Sequence, residues 1–173
     1  MEDTIRLNLG CGAKILEGWV NVDTVSRGGA NYQGVKGTDP DVNADIRDLP
    51  FDDDYADEAM AIHVLEHFYI WEAPEVLKEW IRVLKPGGKL IIEVPDLDKV
   101  ILHIQHGTNI PNFTLWALYG DPTEKDPLMV HKWCYNAKIL RRLLEQAGLK
   151  SVEREMAQFH MKEDRDLRMV GYK

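Results

Sequence analysis

Two sets of residues have the types and spacing for chemistry. His63-Val64-Leu65-Glu66-His67 reads H-x-x-E-H, a pattern in which two histidines hold zinc and the glutamate activates water. The same residues also fit the first turn of a helix leaving a buried strand, and so the wall of a ligand pocket. The second set begins with Gly10-Cys11-Gly12 after an apolar run, where glycine permits a tight turn and a close backbone approach to a ligand. Asp23 ends the next run, and a carboxylate there can accept from both hydroxyls of a ribose. Alone, the glycines fit a plain turn and Asp23 a solvated strand end. Their joint occurrence points to a nucleoside.

Such residues act together only if secondary structure carries them to one place. Ile5, Leu7 and Leu9 predict a first strand, Trp19–Asp23 a second, and Val42–Asp45 a short extended piece. The polar, glycine-rich stretch from Ser26 to Asp41 reads as loop. Asp57–His63 and Lys89–Val94-Pro95 read as buried strands. Between them Val76, Leu77, Trp80, Ile81 and Leu84 recur at helical spacing behind Pro74, and Pro86-Gly87-Gly88 stops that helix. A helix is predicted near Leu97–His106. Asn136 caps another that carries Ile139, Leu140, Leu143 and Leu144 to Gly148. Two closing strands, Val152–Ala157 and Leu167–Tyr172, flank a charged turn near Lys162–Arg165. Strands alternating with helices predict an open, mostly parallel α/β sheet, with ligands at the carboxyl ends of the strands.

The bulk properties fit one domain spanning residues 1–173. A net charge of −8 argues against the broad basic surface of a nucleic-acid binder. The two cysteines form no C-x-x-C pair, no signal peptide is visible and no apolar run is long enough to span a membrane. A cytoplasmic protein with reduced thiols is expected.

Taken in order, LNLGCG, the acidic strand end at Asp23, ADIRDLPF, AIHVLEHF, RVLKPGGKLIIEVP and HKWCYNAKILRRLLEQAGL resemble the class I S-adenosylmethionine (SAM)-dependent methyltransferases. The resemblance is nearest to a compact predicted subgroup, methyltransferase type 11-like. It implies a Rossmann-like doubly wound sheet, mostly parallel with an antiparallel C-terminal strand, of order 3-2-1-4-5-7-6. It also implies SAM as cofactor. Gly10, Cys11 and Gly12 would form the turn beside its methionine part, with backbone groups at the amino and carboxylate ends. Asp23 would hold the ribose, Asp45 the adenine amino group, the Ile46 amide a ring nitrogen, and His63 would line the cleft. His131, just before the last helix, and His67 are candidate general bases for a hydroxyl acceptor. The section 96–135 is the natural lid. The acceptor expected is a small molecule or glycan, and no metal site is expected.

The chain departs from the family pattern. Asn8 stands where an acidic residue usually binds the methionine ammonium, and only about ten residues separate Gly12 from Asp23, so helices A and B are shortened or absent. These departures keep alive a catalytically inactive SAM-binding or scaffold protein of the same fold. An NAD-dependent oxidoreductase shares G-x-G and the acidic strand end but needs a third glycine. A zinc hydrolase needs a third ligand that the sequence does not mark.

Overall fold

Leu7 and Leu9 are fully buried in the first strand, β1 (Arg6–Leu9), and Asn8 between them faces the opposite side of the sheet. The computed structural model describes residues 4–24, 39–123, 125–160 and 162–173. Most of the glycine-rich stretch read as loop lies outside them. β1 pairs in parallel with β2 (Val20–Asp23) and β4 (Ala56–Ile62). β2 pairs in parallel with the two-residue β3 (Val42–Asn43), and β4 with β5 (Leu84–Pro95). β7 (Asp166–Tyr172) inserts antiparallel between β5 and β6 (Lys150–Glu155). The sheet order is β3-β2-β1-β4-β5-β7-β6, as the resemblance implies.

One face is covered by α1 (Ala73–Arg82) and α4 (Ala137–Gln146). Leu77, Trp80, Leu140 and Leu144 are fully buried in the core cluster they share with β1, β4 and β5. Asn136 caps α4 as predicted, its side chain accepting from the Ile139 amide. The other face has a thin covering. Met60, Ile91 and Val170 are buried there under Leu16, Trp19 and Phe159, and no helix joins β1 to β2. Two buried asparagines hold the short connection in place of a helix. Asn8 donates to the Lys14 carbonyl and to Asn21, and Asn21 bonds Leu16 in both directions. Asn8 is therefore committed to the loop. An acid at that position would have no proton to donate to the Lys14 carbonyl.

The sequence reading needs one correction at Pro86-Gly87-Gly88. The helix ends at Arg82, and these residues lie within β5. Pairing jumps from Ala56 opposite Leu84 to Glu58 opposite Lys89, so the extra residues form a bulge. Gly87 and Gly88 there exchange backbone bonds with Lys173.

The section 96–135 holds α2 (Leu97–Gln105), α3 (Leu115–Tyr119) and tight helical turns at Pro111–Phe113 and Pro127–Met129. Asp96 and Tyr135 form a parallel bridge that closes it off from the sheet. The charged turn is a short helix, α5 (Lys162–Arg165). No helix among the described residues is long and apolar enough to cross a membrane.

Candidate functional site

Strand order reverses between β1 and β4, and a cavity of about 680 Å³ opens at the carboxyl ends of the strands there. Its volume is in the range of small-molecule pockets, roughly 300–1,000 Å³. Gly10, Cys11, Gly12, Asp23, Asp45, Ile46, His63, His67 and His131 all line it. The structure thus brings every sequence-predicted site residue to one hollow.

The β1 turn depends on glycine. Gly10 and Gly12 have φ of +65° and +52°. A Cβ on Gly10 would also lie 2.7 Å from Val64 Cγ2, whereas one on Gly12 would meet nothing within 4 Å. Gly10→Ala is accordingly expected to destabilise the fold by about 2–5 kcal/mol, combining the left-handed penalty with overpacking. Gly12→Ala should show only the left-handed penalty of about 1–2 kcal/mol. Urea unfolding of the two variants side by side measures the difference.

The turn corrects one expectation in detail. The Gly10 and Cys11 amides donate to the Val22 carbonyl, and the Gly12 amide donates to Asp23 Oδ2 at 2.7 Å. All three N–H groups are thereby engaged within the protein. The Cys11 carbonyl in turn accepts from the Lys14 amide. Lys14 also lines the cavity, with its ammonium over the Phe159 ring at 4.4 Å. Burial, with the charge of Asp23, pushes the Cys11 thiol up to about 12, so Cys11 is a small filler and no nucleophile.

Asp23 Oδ1 also accepts from the Thr24 amide. Asp45 is gripped by Arg47, whose guanidinium donates to both carboxylate oxygens and holds the acid below its usual range. The Ile46 carbonyl accepts from the indole of fully buried Trp80, which ties this loop to α1.

His63 leaves β4 with a φ of +54°, a strained value for a side chain of its size. Its Nδ1 lies 2.9 Å from Glu66 Oε1, and its Nε2 lies 3.3 Å from Asp166 Oδ2. Burial opposes charge on this ring, but the bonds to Asp166 and Glu66 outweigh it and raise the pKa. Reciprocally, Glu66 stays ionised: burial opposes it, and pairing with His63 prevails. Arg165 Nη2 also lies 3.3 Å from His63 Nε2, while its Nε is 2.5 Å from Asp166 Oδ1. His63 is thus held in the cavity wall between two carboxylates. His160 packs edge-on against it at 4.4 Å and is lowered to about 4, by burial and then by the His63 charge.

The kink at His63 also decides the zinc-hydrolase reading. The chain continues as a single tight turn, Leu65–His67, so His63 and His67 share no helical face. His67 turns instead toward His131, ring centroids 4.9 Å apart and planes at 82°. His67 Nδ1 meets the Val130 carbonyl at 3.3 Å and His131 Nδ1 meets the Ala117 carbonyl at 3.0 Å. A carbonyl only accepts, so Nδ1 carries a proton in both rings, and in a neutral ring Nε2 then holds the lone pair. Burial lowers the His67 pKa, partly offset by the charge of Glu66, which favours the neutral ring.

Sequence reasoning missed Lys14, His160 and Arg165. The last two come from the segment before β7, which carried no motif. From the section after β5, Asn112, Trp116 and Lys132 also line the cavity. Of its aromatics, Tyr135 packs fully into the core, whereas Tyr119 and Trp133 stay exposed.

Comparison with known proteins agrees with this architecture. Residues 7–92 match the family described as a methyltransferase domain. A sterol 4-C-methyltransferase of Caenorhabditis elegans is 38% identical over 82 residues, a match covering 41% of this chain and 24% of that protein. The chain thus spans about a quarter of that relative's length. A SAM-dependent methyltransferase from Archaeoglobus fulgidus superposes with a TM-score of 0.68 at 18% identity, covering 99% of this chain and 87% of its own. The Burkholderia thailandensis 1,6-didemethyltoxoflavin-N1-methyltransferase, solved with its substrate and S-adenosylhomocysteine, superposes with a TM-score of 0.62 at 14% identity. It is covered over 70% of its length, and this chain over 98%. At such identities the two structures establish the fold alone.

Proposed function

As the chain belongs to the class I SAM-dependent methyltransferases, we propose that it transfers a methyl group from SAM to a small-molecule or glycan-type acceptor. The observation that carries this reading is the convergence of Asp23, Asp45 and the Gly10–Gly12 turn on one cavity at the point where strand order reverses. Asp23 accepts from the ribose hydroxyls, and Asp45 with the Ile46 amide reads the adenine edge. Backbone groups of the Gly10–Gly12 turn meet the methionine end, with Lys14 beside it in the same lining. The open space over Gly12 fits a ligand lying against the backbone. SAM supplies a methyl group already activated on a sulfonium.

What remains for the protein is to align an acceptor with that methyl, exclude water and take up a proton. The section 96–135 covers the cavity beside His67 and His131, and serves as the lid. The Nε2 lone pairs of these two histidines are the bases available to a hydroxyl acceptor. His63, tied to two carboxylates, shapes the wall. A cytoplasmic setting belongs to the same reading.

The test is a thermal-shift titration with S-adenosylhomocysteine, NADH and zinc, followed by an acceptor screen with labelled SAM that includes sterols, sugars and phenols. S-adenosylhomocysteine is expected to raise the melting point by mass action and NADH to leave it unchanged. Labelled product identifies the acceptor. Binding without product across the screen supports the inactive SAM-binding or scaffold alternative.

A further inference from the structure

Glu66, His67 and His131 converge beside the cavity. A carboxylate oxygen of Glu66 and one ring nitrogen of each histidine lie within 4.8 Å of one another. Glu66 is 1% exposed, and its Oε2 has no hydrogen-bond partner among the described residues, while Oε1 is taken by His63. A buried carboxylate oxygen without a partner is costly, so the site calls for one.

The imidazoles are arranged to supply the rest of a ligand set. Fixing Nδ1–H on a backbone carbonyl leaves Nε2 as a donor atom of set orientation, the arrangement common to metal-binding histidines. The Glu66 carbonyl accepts from the Lys132 and Trp133 amides, which ties the His131 segment to the Glu66 turn. Both histidines line the cavity, so coordination positions beyond the three side chains open into it.

We propose that Glu66, His67 and His131 bind a divalent first-row transition cation at the inner wall of the cleft. Two imidazoles and one carboxylate suit zinc, manganese or iron better than calcium or magnesium, which prefer oxygen ligands. A second convergence, His63 with Glu93 and Asp166, is not such a site, because Arg165 and Arg168 already neutralise its carboxylates. The inference stands apart from methyl transfer. If that reading holds as well, the two Nε2 atoms serve as ligands while the cation is bound and as bases only without it, and the cation's open positions would take an oxygen of the acceptor.

The experiment is calorimetric titration of zinc into the full chain, stripped with chelator and free of any affinity tag. One saturable site per chain is expected, weakened about 100-fold or more in Glu66→Gln and in His131→Ala. His106→Ala, a histidine outside the cluster, should bind as the unaltered chain does. A second reading on the unaltered protein avoids reliance on variants that fail to fold: zinc should shift the imidazole proton resonances of two of the six histidines. Absence of saturable binding overturns the proposal, and would mean that water satisfies Glu66 Oε2. So would binding that persists in both variants, or resonances that do not move. None of these results depends on SAM, so failure here leaves the methyl-transfer reading to its own test.

Discussion

Asp23→Ala is expected to weaken S-adenosylhomocysteine binding by about 100-fold or more. Hydrogen bonds to a charged group are worth about 1.5–3 kcal/mol each, and a ribose offers two hydroxyls to this carboxylate. Asp23 already accepts from the Gly12 and Thr24 amides, and a carboxylate has about four acceptor positions. The variant also strips the Gly12 N–H of its acceptor, so the cradle loosens as the ligand contact goes. Asp23→Asn, which keeps one acceptor and the shape, should fall between. Calorimetric titration of each variant, with circular dichroism to verify folding, measures the effect. Unchanged affinity in a folded Asp23→Ala would remove the basis for placing a nucleoside in this cleft.

The second large effect is on stability and lies in the sheet. Arg168 on β7 stands directly opposite Glu93 on β5 and opposite Glu155 on β6. Its guanidinium pairs with both, 3.3 Å from each. Glu93 is fully buried and also accepts from the Gln158 and Phe159 amides. Arg168→Met leaves that carboxylate charged and uncompensated, and is expected to lower the unfolding free energy by about 3–5 kcal/mol. Combining it with Glu93→Gln should recover part of the loss, because the stranded charge is gone while amide bonding persists. Denaturant unfolding of the single and double variants gives the coupling directly.

The parts legible in the sequence are those that local chemistry dictates. The turn at Gly10–Gly12 announces itself because only glycine tolerates a left-handed backbone packed against Val64. The acids at Asp23 and Asp45 sit at strand ends, so alternation of apolar residues already locates them. The Asn136 cap and the α4 stripe are equally local. Sheet order came from family resemblance, since pairing between distant strands leaves little local trace. HVLEH was ambiguous because spacing presumes a conformation. The two histidines share a face only on a helix, and the backbone at His63 turns the other way. His67 then meets His131, a partner delivered by the section after β5 that no spacing rule connects to it. Asn8 looked like a weakened cofactor ligand, but its role depends on the missing helix and could be seen only with the loop built around it. Arg165 and Glu93 were invisible for a related reason: their meaning comes from the strand that β7 places between β5 and β6.

That insertion of β7 has a consequence for synthesis. Residues 7–92, the part shared with the methyltransferase domain family, lack β7, and their part of the β5 edge carries Leu90, Ile91 and Ile92. While the chain grows from its amino end, that edge stays bare until Asp166–Tyr172 emerges, on the order of several seconds at ordinary translation rates. An apolar strand edge open for that long is a template for pairing with a neighbour. Yield in the cell should therefore depend on what shields the nascent edge, such as chaperones or low temperature, more than on the stability of the finished fold.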